Sequence, residues 1–164
     1  MHHTFGQQPW PDGLRALQVN ALPVLPVGSP RDILLTGLRP AMVDFPVLLL
    51  RSDGFHITLG MVTSAPAEDI SDTARQDLAD RLRTALTNTG PIHLQVGSPI
   101  AYRAGVRLDL HPDGELAALQ YSVRAAVHQV LGPDPTDYPL GVLHMTAAYA
   151  AADTDTDELV QAIH

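Results

Sequence analysis

The sequence predicts a duplicated fold of strands and helices, in which two similar halves face each other across a cleft. One strand signature, His-x-Thr with flanking apolar residues, occurs at residues 55–60 (FHITLG) and again at 143–148 (LHMTAA). Each copy is followed by an acidic connection and then by a helical pattern. Since about half of the 164-residue chain separates the two copies, an internal duplication explains their spacing.

The chain before the first signature carries few signals of regular structure. Residues 2–5 are predicted to form a short strand, and a helix is predicted over 12–21. Five prolines interrupt the apolar runs of 22–50, which favours extended segments and turns over helix. Residues 47–50 have the composition of a buried strand, and 52–54 (SDG) that of a turn into the signature.

Between the signatures, the patterns indicate a helix, a strand and a hairpin. The helix, capped by Ser71 or Asp69, extends to about residue 88 and ends at Gly90-Pro91. Residues 92–96 alternate as a strand. A hairpin over 99–103 and 106–110 follows, with its turn at Ala104-Gly105.

Two further helices complete the predicted elements. The first is capped by Asp113 and ends at Gly132-Pro133. Its apolar face consists of Leu116, Leu119, Val123, Val127 and Val130. A proline-rich loop over 133–139 leads to the second signature, and a last helix covers about 155–163.

The signatures place chemically useful groups on one face of each strand. Side chains two residues apart in a strand point the same way, so each histidine shares its face with the threonine that follows. The next position on that face is Gly60 in one copy and Ala148 in the other, which leaves room in front of the pair. Two such strands facing each other would supply two imidazoles and two hydroxyls, a set suited to acid–base chemistry on a phosphate ester.

Composition limits the class of partner. The formal net charge is −8, and all ten cationic side chains are arginines, so a long basic groove for nucleic acid is not expected. The chain has no cysteine, which excludes disulfides and thiolate metal sites. With no apolar stretch long enough to span a bilayer and no secretory signal, a cytoplasmic protein without membrane association is expected.

The two His-x-Thr strands resemble the hallmark of the two-histidine (2H) phosphoesterase superfamily, and most of all its bacterial 2′-5′ RNA ligase-like branch. The order of helix, hairpin and helix between the signatures is also similar, and the resemblance covers about residues 45–163. It implies an α+β fold in a single bilobal domain over residues 1–164, with two antiparallel sheets and flanking helices around a central cleft.

The resemblance also implies a reaction and the roles of four residues. Members hydrolyse 2′,3′-cyclic phosphates or 2′-5′ linked nucleotides without a metal or other cofactor. His56 and His144 would be the catalytic pair, with His56 favoured as acid and His144 as base. Thr58 and Thr146 would bind the phosphate. The substrate would be a small nucleotide or the 3′-end of an RNA.

Other residues are weaker candidates. Tyr102, Arg103 and Arg107 lie on the hairpin, where one of them could reach a phosphate or a ribose, although each also fits a solvated strand face. Tyr149 falls on the face opposite His144 by alternation and is therefore left out. The remaining histidines lack close ligand spacing, so no metal site is expected.

Alternatives to the enzyme remain open. The same pocket could bind a nucleotide or an RNA end with little turnover, or both signatures could be core strands of an interaction domain. The chain also ends soon after the second signature, where the family usually continues with closing strands. An unpaired sheet edge there would favour a homodimer.

Overall fold

A computed structural model describes residues 1, 13–24, 37–51, 54–133 and 142–163. These residues form an α+β structure. Its strands are β1 (Gln18–Ala21), β2 (Val47–Leu49), β3 (Ile57–Met61), β4 (Gln95–Tyr102), β5 (Gly105–His111) and β6 (His144–Ala150). Its helices are α1 (residues 37–42), α2 (Asp72–Ala85), α3 (Asp113–Leu131) and α4 (Thr156–Ile163), with a 3₁₀ turn at Ala67–Asp69.

The six described strands make one antiparallel sheet, where the sequence predicts two. Its order is β1-β3-β6-β5-β4, and β2 pairs with the same edge of β6 as β3 does. The strands β3 and β6 are joined only at Ile57 and Met145, the middle residues of the two signatures. This single pair joins the two predicted sheets into one.

Both signature strands carry a β-bulge directly after the threonine. Along the β1–β3 ladder, Val19 pairs with Gly60 and Asn20 pairs with Thr58, so Leu59 is the extra residue of β3. In the β5–β6 ladder, Ala147 is the extra residue of β6 in the same way. A bulge adds one residue to one strand and reverses the faces of the residues that follow.

Helix α3 packs against β3 on the face away from the threonines. Leu116 and Val123 of α3 are buried in one core cluster with Ile57 and Met145. A methyl group placed on Gly60 would lie 3.7 Å from Val123, which shows how closely the helix approaches the strand. The helix thereby supports both signature strands from behind.

Several local predictions are confirmed. Ser71 caps α2, since its hydroxyl accepts a hydrogen bond from the Ala74 amide at 3.2 Å. The helix predicted to end at Gly132-Pro133 and the helix predicted over about 155–163 form as α3 and α4. The hairpin forms as β4 and β5, but its turn lies one residue earlier, because Gly105 already pairs with Tyr102. The strand predicted over 92–96 starts later than expected, because β4 begins at Gln95 and residues 92–94 lie before it.

Other local predictions are wrong. The predicted helix over 12–21 gives way at 18–21 to β1, because that segment finds a pairing partner in β3. Residues 37–42 are helical despite Pro40, since Leu38 and Met42 at helical spacing both enter the core. The strand β2 is only partly buried, with Leu48 42% exposed.

The cap of α3 differs from the predicted one. The residue that caps α3 is Pro112, which makes no side-chain hydrogen bond. Asp113 is instead the first helical residue, where its charge suits the positive end of the helix dipole.

Three predictions cannot be compared with the structure, because they lie outside the described residues. They are the strand at 2–5, residues 52–53 of the turn and most of the 133–139 loop. The homodimer stays a prediction. In the described part of the chain, no helix has the length and apolar character needed to cross a bilayer.

Candidate functional site

The two signatures meet in one cleft with a volume of about 160 Å³. His56 directly precedes β3, and His144 is the first residue of β6. The residues that line the cleft are Gln18, His56, Thr58, Met61, Tyr102, Gln120, Val142, Leu143, His144, Thr146 and Tyr149. All four residues of the predicted His-Thr pairs are therefore brought together.

Both histidines are oriented by the same local hydrogen bond. His56 Nδ1 lies 2.8 Å from the carbonyl oxygen of Gly54, and His144 Nδ1 lies 2.8 Å from that of Val142. A carbonyl oxygen can only accept, so Nδ1 must carry a proton and donate it in each ring. This assigns Nε2 as the nitrogen that can gain or lose a proton in both side chains.

The bulges bring two further residues to the cleft. After the extra residue in each strand, the third residue beyond the threonine returns to the cleft face, which places Met61 and Tyr149 in the lining. The expectation that Gly60 and Ala148 occupy this face is therefore wrong, as is the exclusion of Tyr149. Simple alternation cannot predict a bulge, because a bulge is a property of two paired strands.

The three candidates on the hairpin, Tyr102, Arg103 and Arg107, differ in their distance from the cleft. The Tyr102 ring lines the cleft and meets the His144 ring edge-on, with centroids 5.9 Å apart and an interplanar angle of 67°. The Arg107 guanidinium carbon lies 5.3 Å from the centroid of the Tyr102 ring, so Arg107 contacts the site through that tyrosine. Arg103 is exposed in the hairpin turn and is not among the lining residues.

Two glutamines complete the polar lining, and the sequence patterns did not identify either of them as a site residue. Gln18 comes from β1, and Gln120 comes from α3 on the opposite side of the sheet. Gln120 did leave a signal, since it stands on the buried face of α3 between Leu116 and Val123, where an apolar residue is expected. A polar residue in an apolar stripe points to a local function.

The electrostatic character of the cleft follows from its lining. Among the described lining residues there is no arginine, lysine, aspartate or glutamate, so any positive charge in the lining comes from the histidines themselves. The described residues also contain no cluster of three histidine or carboxylate side chains able to hold a metal ion. His111 instead pairs with Asp109 on an exposed part of β5, at 2.9 Å.

Two antiparallel His-x-Thr strands whose histidines and threonines line one cleft define the two-histidine phosphoesterase class. The model of the 2′-5′ RNA ligase superfamily matches residues 36–164, and the chain belongs to this superfamily. A comparison with curated protein sequences found no match.

Solved structures show the same fold at low sequence identity. The protein TT0787 of Thermus thermophilus is 18% identical, with a TM-score of 0.62 over 87% of this chain and 77% of that one. A second structure, of a phosphoesterase, is 16% identical, with a TM-score of 0.53 and the same coverage. The α+β architecture is thus shared with known phosphoesterase-fold proteins.

Proposed function

We propose that the protein is a metal-independent phosphodiesterase that hydrolyses 2′,3′-cyclic phosphates or 2′-5′ linkages of small nucleotides or RNA ends. The observation that carries this proposal is the identical Nδ1 hydrogen bond of His56 and His144 at one cleft. Two imidazoles of the same tautomer, each with Nε2 left to exchange a proton, are what a displacement at phosphorus requires on its two sides.

The reaction needs one neutral and one protonated imidazole. The neutral Nε2 removes a proton from water as the water oxygen forms a bond to phosphorus. The protonated Nε2 of the other ring gives its proton to the ribose oxygen as the bond from that oxygen to phosphorus breaks. The two histidines have then exchanged protonation states, and proton exchange with solvent restores them.

The hydroxyls of Thr58 and Thr146 are suited to donate hydrogen bonds to the non-bridging oxygens. Thr146 is 7% exposed, so its hydroxyl acts from a partly water-excluded position where a hydrogen bond is stronger. Since the described residues of the lining include no arginine or lysine, neutral donors and the protonated imidazole would stabilise the phosphate charge. The size of the cleft and the net charge of −8 favour a small ligand over a long strand.

An assay with 2′,3′-cyclic nucleotides in the presence of a chelator tests the proposal. We expect turnover in the wild type and a loss of roughly 10²–10⁴-fold in kcat/KM for His56→Ala and for His144→Ala, since each removes an acid or a base. His111→Ala is the matched control, because that histidine is exposed and outside the cleft lining.

The outcomes separate the open alternatives. Wild-type protein that binds nucleotides between the histidines but does not turn them over would identify a binding protein in place of an enzyme. If the wild type neither binds nor hydrolyses any of these compounds, the interaction-domain alternative is the one that survives.

A further inference from the structure

The Gln120 side chain is a buried polar group for which the described residues supply no hydrogen-bond partner. It is 6% exposed, and within the described part of the chain its carboxamide makes no hydrogen bond. It nevertheless lines the cleft that holds both histidines. Buried amides are normally hydrogen-bonded, and an unsatisfied one in a folded protein calls for an explanation.

The position of Gln120 on α3 places it at the junction of the two signatures. Leu116 and Val123, which flank it on the same helix face, pack in one core cluster with Ile57 and Met145, the pair that joins β3 to β6. Since Gln120 also lines the cleft, its side chain reaches the ligand space from the side of the sheet on which α3 packs.

We infer that the Gln120 carboxamide is a phosphate-binding group, whose NH₂ donates a hydrogen bond to a non-bridging oxygen of a phosphoryl group held between the histidines. The inference deepens the proposed function and rests on it for the identity of the ligand. The lack of cationic side chains in the described lining makes a buried neutral donor at this point valuable. An apolar residue would pack at least as well there, so the amide is explained by its ligand and not by the fold.

This assignment predicts opposite effects on stability and on binding. In Gln120→Met, an unbranched apolar side chain of similar length replaces the unsatisfied amide, so the melting temperature should stay the same or rise. The affinity for phosphate should fall by about 10- to 100-fold, the usual loss for one hydrogen bond to a charged group. Gln120→Leu, which matches the apolar neighbours on α3, provides a second variant should the first not fold.

The experiment measures thermal unfolding, the dissociation constant of inorganic phosphate and of adenosine 2′-monophosphate by calorimetry, and turnover of cyclic nucleotides. Gln129→Met is the matched control, since Gln129 is an exposed residue of the same helix and should leave all three quantities unchanged. Weaker phosphate binding with an unchanged or raised melting temperature, seen at position 120 alone, supports the inference.

The outcomes also separate this inference from the proposed function. Equal phosphate affinity in the wild type and both position-120 variants overturns the role of Gln120, whether or not the enzyme is active. A fall in melting temperature for both variants, or no phosphate binding by the wild type, overturns it as well. If binding is lost at position 120 while the wild type hydrolyses nothing, the enzymatic proposal fails and the phosphate site stands.

Discussion

At the scale of single residues, the site is set up by contacts that are local in sequence. Each catalytic candidate donates its Nδ1 proton to the carbonyl two residues before it, at Gly54 for His56 and at Val142 for His144. A neutral backbone acceptor fixes the tautomer and the ring orientation without adding a charge to the cleft. The two histidines are therefore held in the same way, and one difference between them is the Tyr102 ring, which contacts His144.

Gly105 pairs with Tyr149 of β6 in a backbone conformation that favours glycine. It has a φ of +144°, and a methyl group placed there would lie 2.0 Å from the carbonyl oxygen of Ala148, beside the bulge of β6. We expect Gly105→Ala to lower the free energy of unfolding by about 2–4 kcal/mol, from backbone strain and this clash. Urea denaturation would measure the loss.

Gly114→Ala serves as the control for that substitution. Gly114 lies in the first turn of α3 with open space around its Cα, so alanine there should be neutral or stabilise the protein by up to about 1 kcal/mol. Equal effects at the two positions would contradict the assigned role of Gly105.

At the scale of elements, short sequence patterns predicted the features that depend on residues close together in the chain. The cap at Ser71 and the hairpin turn, to within one residue, follow from short-range patterns, as do the two His-Thr pairs. The bulges and strand β1 could not be predicted in the same way, because each depends on pairing with a strand far along the chain. Gln120 left a local signal on α3, but its place in the cleft depends on how that helix packs against the sheet. A bulge in particular is visible only once two strands are in register.

The segment that precedes β1 is held by a contact that depends on pH. The Arg15 amide donates to Glu68 at 3.1 Å and its Nε donates at 3.0 Å, and together they lower the pKa of Glu68 to about 2. Because the folded pKa lies below the ordinary value, the stabilisation is present above about pH 4.3 and is lost as the pH falls towards 2. Glu68→Gln should therefore reduce the acid-induced loss of stability in that range.

Acid titrations of stability for the wild type and the variant, at low and high salt, test this contact. The pair is exposed, so salt should shrink the difference between the two proteins. Asp77→Asn is the control, since Asp77 is an exposed carboxylate on α2 for which no ion pair is described. This variant should lose stability in acid to the same extent as the wild type. Wild-type and Glu68→Gln profiles that coincide at low salt would show that the contact contributes nothing.

At the scale of the whole molecule, one site forms from two strands that carry the same signature and meet at a single pair, Ile57 and Met145. The similarity of the two strands extends beyond the signatures. Both carry the bulge at the same place, and both return a side chain to the cleft, Met61 from β3 and Tyr149 from β6. The proposed reaction nevertheless requires different protonation states of the two histidines, since one would act as a base and must be neutral while the other would act as an acid and must be protonated.

That requirement predicts a bell-shaped dependence of kcat/KM on pH for cyclic nucleotide hydrolysis. Activity should fall in acid as the base becomes protonated and fall in alkali as the acid loses its proton. Without the acid, the residual activity should no longer fall in alkali, and without the base it should no longer fall in acid. The pH profiles of His56→Ala and His144→Ala should therefore be opposite. If His56 is the acid, the activity of His56→Ala should still fall in acid but not in alkali. The double variant should be little slower than either single variant, because the two groups act in one step. Two single variants with the same profile, or losses that simply multiply, would show that the histidines do not divide the two proton transfers between them.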